Sequence, residues 1–299
     1  QQQQQPPPPP PPPQPPLLLL LLLSPSSSAA LPPLPGEAVA GWCRDLGVDF
    51  WMPVHDSAEL EMAEHGSDRP AAEADVVVSL GGDGTMLRSV EMLGGHEVPL
   101  IGINLGSLGY LTEVEPDTMT DFLDRFVLGS EAGEWHLDTR MMLDVAVNGA
   151  LVGRALNEAV VEKNQSGHTV RLLARIDGHP FTHYEADGLI VSTPTGSTAY
   201  SLSARGPIVS PQHRAILLTP VSPHMLFDRS LVLSPNEVVE IEVAGHRRAD
   251  VAVDGQPCSV LEPGDVVRCS PSAATANFVR FGAYRYHQIL KSKFGLPDR

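Results

Sequence analysis

The sequence predicts two units in one chain: an α/β unit built on a doubly wound parallel sheet, then a β-rich, sandwich-like unit. Three observations predict it. Between residues 36 and 128 helical and strand-like stretches alternate, the pattern of a parallel sheet covered by helices. Beyond Trp135 short alternating runs take over, separated by Asn148-Gly149, Asp177-Gly178 and Asp254-Gly255, dipeptides that suit type I′ hairpins. The length of 299 residues allows two domains even after a low-complexity stretch, 1–35, is set aside.

Taken in order, the glutamine and proline blocks that open the chain cannot specify a packed core and are expected to be disordered. Residues 17–23 are all leucine. A continuous apolar run of strand length suits a strand buried on both faces. Against this, leucine favours helix and a homopolymer cannot fix its own register, so a place outside the fold is the alternative. Residues 36–46 carry Val39, Trp42 (or Cys43) and Leu46 on one helical face. Next come a short strand over 48–54, a helix over 58–65 and a buried strand over 76–80. A glycine turn at 81–84 leads into a helix over 85–93, and a strand follows over 100–104. The α/β unit is thus assigned to 36–130.

The β-rich unit, 131–275, has candidate strands at 142–147, 150–161, 170–176, 188–192, 215–219, 238–243, 249–253 and 266–270. A final segment, 276–299, closes with a helix over 283–293 and is expected to pack back on the α/β unit.

Charge narrows the function. Lys plus Arg number 20 against 36 Asp plus Glu, a net charge of −16. Such a surface argues against a general binder of nucleic acid or anionic membrane. An anionic small molecule remains admissible where a site gathers the few cations and backbone N–H groups. The 3 cysteines, Cys43, Cys258 and Cys269, show no metal-site spacing and read as idle thiols of a reducing compartment. No apolar run approaches the roughly 20 residues of a spanning helix. The leucine run has no basic residue before it, the first being Arg44, so it lacks a signal peptide's charged start. The expected setting is the cytoplasm, with no membrane partner.

Three motifs carry chemistry. The first, Leu80-Gly81-Gly82-Asp83-Gly84-Thr85, sits between a buried strand and a helix. Missing Cβ atoms let a phosphate approach the backbone, and a helix start offers unpaired N–H donors. Asp83 repels phosphate, which makes sense if it faces a hydroxyl about to lose its proton; otherwise it caps the helix. Neither a Walker A pattern nor a dinucleotide GxGxxG is present. The second motif, Asp187-Gly188-Leu189-Ile190-Val191-Ser192-Thr193-Pro194-Thr195-Gly196-Ser197-Thr198-Ala199-Tyr200, is a strand, a turn of small hydroxyl residues and a helix start. It can hold sugar or phosphate oxygens without positive charge, Tyr200 can stack on a base, and the bland alternative is a well-capped turn. The third, Asn157-Glu158, can read adenine or ribose edges, or is a polar hairpin pair. Two such turns in one chain favour a nucleotide site between the units.

These motifs in this order, followed by Ser222-Pro223-His224 and Asp254-Gly255-Gln256, closely resemble the bacterial NAD kinase family from residue 36 to the C-terminus. GGDGT alone is shared with diacylglycerol kinases, sphingosine kinases and phosphofructokinases; STPTGSTAY with Asn157-Glu158 is far more specific. The resemblance implies an α/β unit plus a β-rich unit with the site between them, and phosphoryl transfer from ATP or polyphosphate to the 2′-hydroxyl of the adenosine ribose of NAD. It makes Asp83 the proton acceptor and places Asp83, Gly84 and Arg88 at the nucleotide, with Gly81, Gly82 and Thr85 near the phosphates. It implies NAD contacts at Asn157, Glu158, Asp187, Thr198, Ala199, Tyr200, Ser201, Leu202, Ser203 and Gln256, and at His168, where some members are basic.

A divalent cation, Mg²⁺, is expected on the donor phosphates, with no protein ligand for it legible. A homodimer or homotetramer is expected. Three departures stand out: Arg205 where members commonly carry glycine, Glu185 where some carry a basic residue, and no ordinary opening strand upstream of residue 36. The rivals are a non-catalytic dinucleotide binder, which would not need Asp83, and a lipid kinase, which would not need STPTGSTAY.

Overall fold

The computed structural model describes residues 17–23, 35–106, 109–128, 134–282 and 286–296, so the glutamine–proline blocks and the link over 24–34 lie outside the described residues. The first unit contains β1 (Leu18–Leu23), α1 (Pro35–Leu46), β2 (Asp49–Trp51), α2 (Val54–Glu59), β3 (Val76–Gly81), α3 (Asp83–Leu93), β4 (Pro99–Asn104) and α4 (Met119–Leu128). Its strands pair in parallel in the order β2-β1-β3-β4. The helix expected over 58–65 instead starts after Pro53 and ends at Glu59, because Glu61 turns to φ 57°, outside helical space. Helix α4 is not among the expected elements, although Met119, Phe122, Leu123 and Phe126 have helical spacing and pack in the core.

The leucine run is the strand between β2 and β3. Leu19, Leu21 and Leu23 point into the core shared with α1 and α4, while Leu20 and Leu22 point into the core under α3. Because both faces are buried, identical leucines serve both. Register is set from outside the run. The Leu18 N–H donates to the Asp75 carboxylate at 2.8 Å, and the Asp75 N–H returns to the Leu18 carbonyl at 2.8 Å. At the other end the Leu23 N–H donates to Asp56 at 2.9 Å. Asp56, only 1% exposed, is neutralised by Arg88, whose guanidinium lies 2.5 Å away and also donates to the Leu23 carbonyl at 3.1 Å.

The second unit holds β5 (His136–Val147), β6 (Ala150–Ala155), β7 (Glu158–Lys163), β8 (Val170–Ile176), β9 (His179–Ala186), β10 (Gly188–Ser192) and α5 (Tyr200–Ser203). It continues through β11 (Ile216–Val221), β12 (Leu231–Leu233), β13 (Val239–Val243), β14 (Ala249–Val253), β15 (Gln256–Leu261), β16 (Val266–Arg280) and α6 (Tyr286–Lys293). A six-stranded sheet, β12-β11-β10-β7-β14-β15, faces the β5, β8, β13 and β16 end of a ten-stranded one. Leu143, Leu172, Ile241 and Val267 from one sheet meet Val161, Leu189, Val191 and Leu218 from the other in a closed core. At all three hairpin dipeptides both residues take positive φ, as in Asn148 at 49° and Gly149 at 86°.

The structure corrects the boundaries. The expected break at 275 falls inside β16, which pairs with β13 near its start and in parallel with β4 at Asn277 and Phe278. One sheet therefore runs through both units. Pro271 and the small residues after it interrupt the apolar alternation, but pairing with β5 resumes at Thr275. The single strand expected over 150–161 is two strands in different sheets, with a corner at Leu156-Asn157. Strands β9, β12 and β15 were not anticipated; all lie at sheet edges, where β12 is only 3 residues long and most side chains of β9 and β15 are exposed, so little alternation marks them. The closing helix begins at Tyr286 among the described residues, 283–285 lying outside them.

Candidate active site

The first turn crosses from β3 to α3 at the carboxyl end of the parallel strands. Gly82 is extended, with φ −104° and ψ −164°, and no side chain caps the helix. Asp83 is not a cap. Its carboxylate reaches the neighbouring loop, where the N–H groups of Tyr110 and Leu111 each donate to one oxygen at 2.9 Å. The loop approaches so closely that a Cβ at Gly109 would stand 2.1 Å from Asp83 Oδ1. At Gly82 and Gly84, by contrast, a Cβ would meet nothing within 4 Å. No packing constraint accounts for those two glycines, whereas close approach of a ligand to the backbone does. Gly81 and Thr85 are buried in the frame of the turn.

The corner between β6 and β7 presents Asn157 and Glu158. The Asp254 carboxylate holds it, accepting N–H bonds from Leu156, Asn157 and Glu158 at 2.7, 2.8 and 2.9 Å. Burial pushes the Asp254 carboxyl up, the three N–H donors pull it down, and Glu91 on α3 raises it again. The second turn rests on the same corner. Thr193 Oγ1 donates to the Leu156 carbonyl at 2.5 Å, and a Cβ at Gly196 would sit 2.1 Å from the Asn157 carbonyl oxygen. Only glycine fits there.

Much of the second motif's hydroxyl content is therefore structural. Ser197 Oγ donates to the Pro194 carbonyl at 2.7 Å and receives the Val209 N–H at 3.0 Å. Ser201, expected to touch NAD, is fully buried with its hydroxyl 3.2 Å from that of Thr219, so its side chain faces inward. Tyr200 and Ser203 are exposed, with Thr198, Ala199 and Leu202 half-buried, and these are what the turn offers a ligand.

Charges concentrate beside Tyr200. Asp187 forms an ion pair with Lys163 at 2.6 Å. Glu158 is 6% exposed, and its Oε2 has no hydrogen-bond partner. Burial first, and the Asp254 charge second, push its carboxyl up to about 8, against a small lowering by the Tyr200 N–H. Burial also raises the Tyr200 hydroxyl, reinforced by Glu162, Asp187 and Glu158.

The other expected residues are more dispersed. Arg88 is committed to Asp56 and the leucine strand, as described above. Gln256, exposed, opens β15 directly after the Asp254-Gly255 turn. His168 lines a cavity of about 350 Å³ with Lys163, His246, Arg247 and Arg248, and Lys163 joins that cavity to Asp187. Among the described residues there is no cluster of three or more His, Cys, Asp or Glu that could hold a metal ion. Three residues of the site, Asp254, Lys163 and Tyr110, have no role assigned from the sequence. Their signals were faint: a hairpin aspartate, a strand-end lysine and a loop tyrosine.

A glycine turn bearing a carboxylate over a parallel sheet, facing a β unit through a second glycine and hydroxyl turn, defines the class: a two-unit nucleotide-dependent phosphotransferase. Residues 56–131 match the family model for the ATP-NAD kinase N-terminal domain, and 156–281 match that for the ATP-NAD kinase C-terminal domain. The NAD kinase of Heliobacterium modesticaldum is 39% identical over 261 residues, 85% of this chain and 91% of that protein. That of Methanopyrus kandleri is 40% identical over 222 residues, 74% and 78%. Yeast NADH kinase complexed with NADH superposes with a TM-score of 0.82 at 25% identity, over 96% of this chain and 89% of that one. An Archaeoglobus fulgidus NAD kinase in complex with ATP gives 0.71 at 25% identity, over 94% and 100%. The chain belongs to the NAD kinase family.

Proposed function

We propose that this chain transfers a phosphoryl group from ATP to the 2′-hydroxyl of the adenosine ribose of NAD, giving NADP. The observation that carries the reading is Asp83, whose carboxylate is aimed by two backbone N–H bonds beside two glycines that face open space. Each bond occupies one lone pair, leaving others free to accept the 2′-hydroxyl proton. A carboxylate is a weak base toward an alcohol, so Asp83 orients the proton early and takes it late, as the new O–P bond forms. In a loose transition state, alignment of the hydroxyl supplies much of the rate.

Asn157 and Glu158 are the natural readers of the adenosine, because Asp254 fixes the corner that presents them. Tyr200 offers a face for stacking and Asp187 an acceptor for a ribose hydroxyl, with Lys163 balancing its charge. A divalent cation, Mg²⁺, would supply charge neutralisation on the donor phosphates when bound, and no cluster of side chains among the described residues is built to hold it. Polyphosphate would serve wherever the chain of phosphates alone is recognised. We place the protein in the cytoplasm as a homodimer or homotetramer; among the described residues no helix is long and apolar enough to cross a membrane. The test is direct: incubate the protein with Mg²⁺, ATP or polyphosphate, and NAD or NADH, and follow NADP or NADPH. No product from any pairing overturns the proposal.

A further inference from the structure

Beneath the two turns lies a cluster of ions with no part in the chemistry described so far. On one face of the β5–β16 pair, Asp138 and Arg140 alternate along β5, and Phe278 and Arg280 along β16, with Asp138 directly opposite Phe278. Asp138, Arg140 and Arg280 are 7%, 2% and 8% exposed. Asp138 Oδ1 receives Arg140 Nε at 2.8 Å, and its Oδ2 accepts a further bond from Arg140 Nη2 and the Arg280 Nε bond at 3.3 Å. Fully buried Phe278 lies under both guanidinium groups, its ring centre 5.9 Å from Arg140 and 5.5 Å from Arg280. Burial would raise the Asp138 carboxyl, but the hydrogen bonds and charges of the two arginines outweigh it and hold the group below the ordinary range.

The two arginines of this cluster reach the two motifs. Arg280 Nη1 donates to the Leu111 carbonyl at 3.0 Å, and Leu111 donates its N–H to Asp83. Arg140 Nη1 donates to Thr195 Oγ1 at 3.3 Å, in the second turn. A continuous run of polar contacts thus joins the Asp83 carboxylate to the nucleotide turn. Burying ions is a poor way to gain stability, since apolar side chains of similar volume do as well or better. What ions and hydrogen bonds add is direction.

We propose that Arg280 and Asp138 are positioning residues for phosphoryl transfer: they set the loop that aims Asp83 and lock that setting to the turn at Thr195. The inference rests on the reading of Asp83 as proton acceptor. Arg280 supplies one N–H to Asp138 and another to Leu111, a span that a single ammonium cannot make while keeping both geometries. Arg280→Lys therefore keeps the buried charge and slackens the Asp83 loop.

The experiment is a double-mutant cycle of Arg280→Lys with Asp83→Asn, with kcat, KM for NAD and ATP, and a thermal melt for each protein. Arg280→Lys alone should lower kcat roughly 10²-fold, the cost of a small misplacement at a reacting centre. KM for NAD should stay within about threefold, because uniform binding is untouched. In the Asp83→Asn background the same change should lower kcat by less than about twofold, because its effect runs through a carboxylate already lost. Equal losses of kcat in both backgrounds, or a full kcat in Arg280→Lys beside a reduced one in Asp83→Asn, would overturn the relay alone. Loss of the folded state in Arg280→Lys at assay temperature would also overturn it, making the cluster a strut. An undiminished kcat in Asp83→Asn would overturn the reading of Asp83 and the relay with it.

Discussion

Asp83 and Asp254 are the same device in two places. Each carboxylate is grasped by main-chain N–H groups of a loop remote in sequence, two at Asp83 and three at Asp254. They differ in what is left over. Asp83 shares its cleft with glycines over which there is open space, so it retains lone pairs for an outside partner. Asp254 spends its capacity on one corner and carries its own N–H to the Glu158 carbonyl as well, at 2.9 Å. A carboxylate in a backbone nest is thus a reagent or a rivet according to its unsatisfied acceptors, and the motif letters Asp-Gly are identical in the two cases.

The contrast breaks most sharply at Asp83. Asp83→Asn keeps the shape and the affinity for NAD within a few fold and lowers kcat by roughly 10²–10⁴, the worth of a positioned general base. A steady-state assay with a parallel melt checks it, and an unchanged kcat would make Asp83 as structural as Asp254. Asp254→Asn should do the reverse. It replaces a charged acceptor of three N–H bonds by an amide that can accept fewer, so KM for NAD should rise about tenfold and the melting temperature fall. A kcat loss with unchanged KM would put Asp254 in the chemistry instead.

Asn157→Ala, at the end of the corner that Asp254 holds, should raise KM for NAD by a few fold and leave KM for ATP almost alone. A selective rise for ATP would mean that the two substrates are placed the wrong way round. The smallest effect is expected at Glu158. Its carboxyl is raised from an ordinary 4.5 to about 8, so between those values the folded protein binds more protons than the unfolded one and loses stability as pH rises. Glu158→Gln removes that loss. The variant should melt a few degrees above the parent at a pH above the raised value, and no higher than the parent at a pH below 4.5. Parallel melting curves at both pH values would show that Glu158 is ionised and partnered at all times.

Much of this was legible in advance, for identifiable reasons. The glycine turns announce themselves because the backbone at Gly196 leaves no room for a Cβ, and the hairpins because Asn148, Asp177 and Asp254 take positive φ. The corner at Leu156-Asn157 was hidden, since no Gly or Pro marks it and the carboxylate that bends it is remote in sequence. The arginines at 140 and 280 were invisible for the same reason. A charged residue in a strand reads as solvent-facing until a partner buried on the next strand is known. The inward turn of the Ser201 hydroxyl was not legible, because a hydroxyl in such a turn gives no sign in the sequence of which way it points.

The leucine strand has a consequence for heredity. Its alignment is dictated by Asp75 at one end and by Asp56 with Arg88 at the other, none of which belongs to the run. One leucine more or fewer would place the same side chain at every position between those anchors, and the difference in length would pass to the neighbouring segments. Repetitive coding tracts gain and lose units readily when copied. This inner strand, one in from the edge of its sheet, is built so that such an error changes the message and leaves the core as it was.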